Sequence, residues 1–98
     1  MIYTVLLSDE ALFDITEASF WYETQKTGLS EKFRKDIKHG LDYLSKEPQT
    51  LQKRYSEVRI FFTKTFPFGI HYIIDSNTVK VIAIFHTSKD PKNWSDRL

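Results

Sequence analysis

The side chains with chemistry to offer are few and mostly basic. Lys53 and Arg54 are adjacent and followed by Tyr55, Arg59 comes shortly after, Lys89 lies near the end, and the histidines are His39, His71 and His86. A guanidinium or ammonium can hold a phosphate or carboxylate, the guanidinium with two parallel hydrogen bonds. An imidazole can carry a proton near neutral pH. Each group also has a plainer use. Lys53 and Arg54 suit a solvated pair, a histidine that ends a strand is more often a hydrogen-bonded structural residue, and His39, on the basic side of a helix, reads as surface. Glu57 could orient a cation or serve as a base, but a lone acid before a strand is thin support.

The spacing argues against several other chemistries. The histidines stand more than ten residues apart with no HExxH or paired-carboxylate pattern, so no metal site is expected. Three glycines form no phosphate loop and no GxSxG elbow is present, so no cofactor is expected. The absence of cysteine rules out disulfides and thiolate ligands and points to the reducing cytoplasm. No basic, apolar leader opens the chain, and no run nears the roughly 18 apolar residues of a membrane span. A soluble intracellular protein without membrane contact is the expectation.

Ninety-eight residues suit a single domain, residues 1–98, with a modest stability margin. Eight Phe, five Tyr and two Trp imply a core built on large rings. The net charge of +1 hides an asymmetry: residues 1–31 hold six acids and one lysine, and residues 32–98 hold thirteen Lys/Arg against seven acids. The basic part could face phosphate or an acidic partner, or be a solvated surface of varying sign.

These groups need elements to position them. Ile2 to Leu7 is a short, partly β-branched run that suits a first strand, and Ser8 can cap a helix after it. From Asp9 to about Thr27, Ala11, Ile15, Ala18 and Tyr22 recur at helical spacing, and Gly28 supplies a helix end. Ser30 then starts a second helix, whose apolar stripe is Phe33, Ile37, Leu41 and Leu44, and Pro48 stops it. After a polar connection from Gln49 to Glu57 the period falls to two, over Val58 to Thr63, Phe68 to Ile74 and Val79 to His86, with a turn at Asp75-Ser76-Asn77-Thr78. The pattern predicts an α+β fold: an N-terminal strand, a two-helix hairpin, then a three-stranded antiparallel meander with the helices on one face.

Alternation assigns Val58, Ile60, Phe62, Phe68, Ile70, Tyr72, Ile74, Val79, Val81, Ala83 and Phe85 to the core face. The opposite face receives Arg59, Phe61, Gly69, His71, Ile73, Lys80, Ile82, Ile84 and His86. Half of that second set is apolar, more than a face in water needs. Either the chain's own C-terminal segment, with Trp94, covers it, or a bound partner does.

The order of elements and the ending Val81 to Trp94 (VIAIFHTSKDPKNW) resemble the RelE/ParE superfamily of type II toxins. There the last strand closes on an apolar run followed by His, two small residues, Arg, an acid or Asn, and Pro; here these are His86, Thr87, Ser88, Lys89, Asp90 and Pro91. Arg59 and Tyr72 match further family positions. Two positions depart: the third-strand arginine is Gly69, and the arginine of the tail is Lys89, so two planar phosphate binders are missing.

The resemblance implies a toxin neutralised by a cognate antitoxin, which folds a segment onto it and alone carries the contact with operator DNA. The apolar second face, with Phe61, Ile73, Ile82, Ile84 and Trp94, would be the antitoxin's seat. It also implies one of two targets. RelE-like members cleave mRNA on the ribosome without a metal; here Arg59 and Lys89 would be the cations and His86 the acid or base, with Lys53, Arg54, Tyr55 and His71 holding substrate. ParE-like members bind DNA gyrase and need no catalytic residue. The incomplete cation set favours the gyrase-directed class, of the plasmid-stabilisation type. A third reading is a binding module without target activity.

Overall fold

Ser8 opens the fold's first helix as expected, its hydroxyl accepting the Ala11 amide at 3.0 Å. A computed structural model describes residues 2–98 of the chain. The chain runs through β1 (Thr4–Leu7), α1 (Asp9–Gln25), α2 (Leu29–Leu44), a 3-10 turn (Pro48–Thr50), β2 (Lys53–Tyr55), β3 (Val58–Phe62), β4 (Phe68–Asp75), β5 (Thr78–His86) and a C-terminal 3-10 segment (Pro91–Arg97). The sheet order is β1-β5-β4-β3-β2. β1 is parallel to β5 and the other pairs are antiparallel.

The α+β reading holds, with two additions. The connection before Val58 contains the short edge strand β2, which pairs with β3. The N-terminal strand joins the sheet beside β5, making it five-stranded and mixed. The second helix begins differently from the expectation: Gly28, at φ 87°, precedes it, and Ser30 lies inside it. The Glu23 carboxylate at the end of α1 caps it instead, accepting from the Gly28 and Ser30 amides and the Ser30 hydroxyl at 2.7 to 3.2 Å. A negative group at a helix N-terminus satisfies free amides and suits the dipole.

The core lies between the helices and one sheet face. Phe33, Ile37 and Leu44 from α2 and Ala11 from α1 meet Phe66, Phe68, Ile70, Tyr72, Val79 and Val81. Phe33 sits 5.6 Å from Phe66 and 4.9 Å from Phe68, ring centre to ring centre, within the range where aromatic pairs gain beyond simple burial. Gly40 lets α2 approach the sheet, since a Cβ there would come 2.7 Å from Ile70 Cδ1. The buried Tyr72 hydroxyl donates to the Pro48 carbonyl at 2.7 Å, and burial pushes its pKa up to about 12.

The expected division of the two faces requires correction. Arg59 pairs with Tyr72 and Phe61 with Ile70, so both point toward the helices; Val58, Ile60 and Phe62 lie on the other face with Gly69 and His71. The slip is one residue, and the side-chain period of two makes it move the whole strand. In β5 a bulge does the same: His71 pairs with Ala83 and Tyr72 with Val81, leaving Ile82 as the extra residue. Beyond it Ile84 joins Ile70 in the core, while Ala83 and Phe85 face away from the helices.

That second face is not left open. Val58, Ile60, Ala83 and Phe85 are buried on it. The C-terminal segment lies across, with Trp94 5.4 Å from Tyr55 and 5.0 Å from His71 between ring centres. Of the five residues assigned to an open partner-binding face, Phe61 and Ile84 therefore belong to the helix side and Trp94 is the cover. Ile73 and Ile82 are half-buried.

Candidate functional site

The basic residues and histidines singled out in the sequence do not converge. Arg59 and His86 lie on the helix side, opposite Tyr72 and Phe68, which are four residues apart on β4 and hence roughly 13 Å from each other. His71 is on the other face. The expectation that Arg59, His71 and His86 share one face is thus corrected, and the cause is the slipped register of β3 together with the bulge in β5.

Most of these groups are already engaged. His71 is buried, its Nδ1 2.8 Å from the Tyr55 hydroxyl. Desolvation drives its pKa down to about 4, with Asp14 opposing and Arg97 reinforcing, so the ring is neutral at pH 7. Tyr55 spends its hydroxyl there and its ring on Trp94. Lys53 pairs with Glu57 at 2.9 Å, and Arg54 lies 5.4 Å over the Phe62 ring. Arg59 is half-buried, and its Nε has no hydrogen-bond partner among the described residues. Gly69 leaves no space for the missing arginine, because a Cβ there would come 2.8 Å from Ile60 Cγ2. His39 is exposed on α2.

At the exposed end of β5, His86 Nδ1 accepts the Ser88 amide at 3.0 Å and sits 2.7 Å from the Ser88 hydroxyl. Lys89 Nζ stands 4.8 Å from the centre of the Phe85 ring. Among the described residues, no group of three or more His, Asp or Glu is placed to hold a metal ion. None of the helices is long and apolar enough to cross a membrane.

A different feature stands out beside these residues. β1 pairs with β5 only as far as Val81, and there the chain turns at Ser8 into α1. β5 continues to His86 with no strand on that side among the described residues. The result is a groove of about 870 Å³ between α1 and the end of β5. Its walls include Ala18, Phe20 and Trp21 from α1 and Ile84, His86 and Lys89 from the β5 side. Phe13, Phe20 and Trp21 are 59%, 73% and 57% exposed, a concentration of rings in water that a monomer does not need.

A largely buried ion pair lines part of the groove. The bulge at Ile82 frees backbone groups of β5, and a bent strand must find them other partners. Asp14 Oδ2 accepts the Ile84 amide at 2.9 Å, and Arg97 Nη1 donates to the Ile82 carbonyl at 3.1 Å. Arg97 and Asp14 also bond each other at 2.7 and 2.9 Å, a two-pronged pair. Arg97 thereby pins the C-terminal segment against α1 and lies 4.8 Å from the centre of the Phe85 ring.

Sequence reasoning missed Asp14, Arg97 and the α1 rings. A signal for the rings was present: Leu12, Phe13, Phe20 and Trp21 all fall outside the inward stripe of Ala11, Ile15, Ala18 and Tyr22. The excess apolar side chains on a helix already supplied with a core face mark a second contact surface.

Comparison with known proteins agrees with this architecture. Residues 5–91 match the family described as the ParE toxin of the type II toxin–antitoxin system, parDE. Among solved structures, a chain from the chromosomal ParDE toxin–antitoxin system of P. aeruginosa superposes with a TM-score of 0.78 at 15% identity, covering 89% of this chain and 98% of that one. At that identity the likeness speaks to the fold. The search of curated proteins returned no match. With a family match that runs from the first strand to Pro91, this chain belongs to the ParE toxin family of type II toxin–antitoxin systems.

Proposed function

We propose that this toxin inhibits DNA gyrase by protein binding, without cutting RNA, and that a cognate antitoxin neutralises it by laying a segment in the groove between α1 and β5. The observation that carries the choice of target is the dispersal of the cations and histidines. Metal-free RNA cleavage needs a base at the 2′-hydroxyl, cations at the phosphorane and an acid at the leaving oxygen within a few ångströms of one another. Arg59 and His86 flank β4 from opposite sides, roughly 13 Å apart along the strands and roughly 10 Å across them, and His71 is neutral and covered. A protein-binding inhibitor needs only surface. The antitoxin reading is supported by the solvent-facing rings of Phe13, Phe20 and Trp21, which such a segment would bury.

On this reading the toxin works in the cytoplasm and reaches operator DNA only through the antitoxin. The test is to incubate purified toxin with gyrase and supercoiled DNA, and separately with translating ribosomes. Gyrase-linked DNA breaks with intact mRNA are expected. Cut mRNA at rates that depend on Arg59, with no gyrase-linked breaks, overturns the proposal and supports the ribosome-dependent endoribonuclease reading. Expression of the chain without an antitoxin should stop growth; unimpaired growth would leave only a binding module.

A further inference from the structure

The groove carries charge as well as apolar surface, and the charge is ordered. α1 holds five acids and no Lys or Arg from Asp9 to Gln25. Of the acids that line the groove, Asp14 is spent on Arg97, whereas Glu17 has no ion-pair partner among the described residues. On the opposite wall Lys89 likewise lacks a carboxylate within 4 Å among the described residues. His86 stands beside it with Nδ1 accepting the Ser88 amide, which leaves Nε2–H as the ring's remaining donor. One wall therefore carries a free acid beside the exposed rings of Phe13, Phe20 and Trp21, and the other a set of free donors.

We infer that the groove reads the direction of its peptide. It accepts one amphipathic segment of the antitoxin, with apolar anchors on Phe13, Phe20 and Trp21, a carboxylate on Lys89 and a cation on Glu17. This rests on the reading of the groove as the antitoxin's seat and adds the partner's chemistry to it. The length fits: the lining residues of α1 run from Phe13 to Thr24, eleven helical rises or roughly 16 Å, about three turns of a docked helix. Apolar anchors alone would allow the segment to lie in either sense. Two opposite charges on opposite walls disfavour the reversed sense, because reversal sets like charges against each other.

The experiment is a peptide-display selection on the whole toxin, using a library of amphipathic helices of about 12 residues with free charge on both flanks of the apolar stripe. Four proteins are compared: the native chain, Trp21→Glu, Lys89→Glu, and the charge-neutral swap Glu17→Lys/Lys89→Glu. The native chain is expected to enrich one order of charge, acid on one flank of the apolar stripe and base on the other, roughly three- to tenfold over the reverse. The swap should enrich the reverse order, Lys89→Glu should lose the preference for an acid, and Trp21→Glu should lose the peptides altogether. The swap keeps the net charge, so a swap that selects like the native chain shows only a general field and overturns the inference. Peptides lost in Trp21→Glu but without charge order also overturn it, while leaving the groove as the seat. Peptides that survive Trp21→Glu, or no enrichment by the native chain, overturn the seat as well.

Discussion

The two tryptophans of this chain mark two apolar surfaces with opposite fates. Trp94 lies on the sheet face away from the helices, packed on Tyr55 and on the buried His71. Trp21 stands 57% exposed over the groove at the end of β5. Both surfaces are rich in rings, and neither is polar enough to face water unaided. The difference is a tether: the tail reaches back to α1 through Arg97 and Asp14 and closes one surface, and no described segment of the chain crosses the other. Apolar content alone therefore does not identify a docking surface; what matters is whether the chain has a segment anchored over it.

The largest expected effect breaks that tether. Asp14→Ala takes away the two-pronged acceptor of Arg97 and the acceptor of the Ile84 amide, leaving the guanidinium only the Ile82 carbonyl and Glu10 at 3.4 Å. Removing one partner of a buried pair costs about 3 to 5 kcal/mol, and the slight exposure of both side chains places this one near the lower end. Urea denaturation measures it. A loss under about 1 kcal/mol, within the range of surface pairs, would show that the tail is held by other means.

Next in size is a pH effect from beneath the cover. The folded pKa of His71 is about 4, against an ordinary 6.5, so the unfolded chain binds the extra proton first as pH falls. Stability from this group is complete above about pH 6.5 and drains away toward pH 4, by about 3 kcal/mol in all. His71→Gln should flatten that part of the stability profile. Glu23 slopes the same way, since hydrogen bonds from Ser30 and Gly28 lower its pKa, so the difference between the two proteins is the quantity to read. An unchanged slope in His71→Gln would mean that the tail admits water to the ring. Trp94→Ala, which lifts the cover without touching its tether, should cost about 2 kcal/mol and increase binding of a hydrophobic dye.

Much of the fold was legible because it is local. The Ser8 cap, the stripe of Phe33, Ile37 and Leu44, and the turn at Ser76 and Asn77 are set by neighbours a few residues away. What failed was set at a distance. The register of β3 depends on the loop before β4, whose Thr65 and Phe66 amides are held by Asp36 on α2 at 3.1 and 2.7 Å, some thirty residues back. β2 has three residues and no apolar alternation, so its pairing leaves no trace in composition. The bulge at Ile82 is paired off by Asp14 and Arg97, from opposite ends of the chain. The candidate site suffered from the same errors. Residues that alternation brought onto one face are split by a single register step, and the groove exists only because β1 stops at Leu7 while β5 runs on.

The smallest expected effect on stability is the sharpest test of the comparison. If the rings of α1 are held for a partner, replacing them should cost the isolated chain almost nothing, because they already stand in water. Phe20→Ser and Trp21→Ser are expected to shift folding stability by no more than about 0.5 kcal/mol, the usual range for exposed positions. The same substitutions should weaken antitoxin capture tenfold or more, since exposed rings at the centre of a contact carry much of its energy. Trp94→Ala should show the reverse pattern, losing stability with little effect on capture. Measuring both quantities for the three variants separates the surfaces. If Trp21→Ser unfolds the chain as readily as Trp94→Ala, the groove is core that happens to be thinly covered, and the seat of the antitoxin must be sought elsewhere.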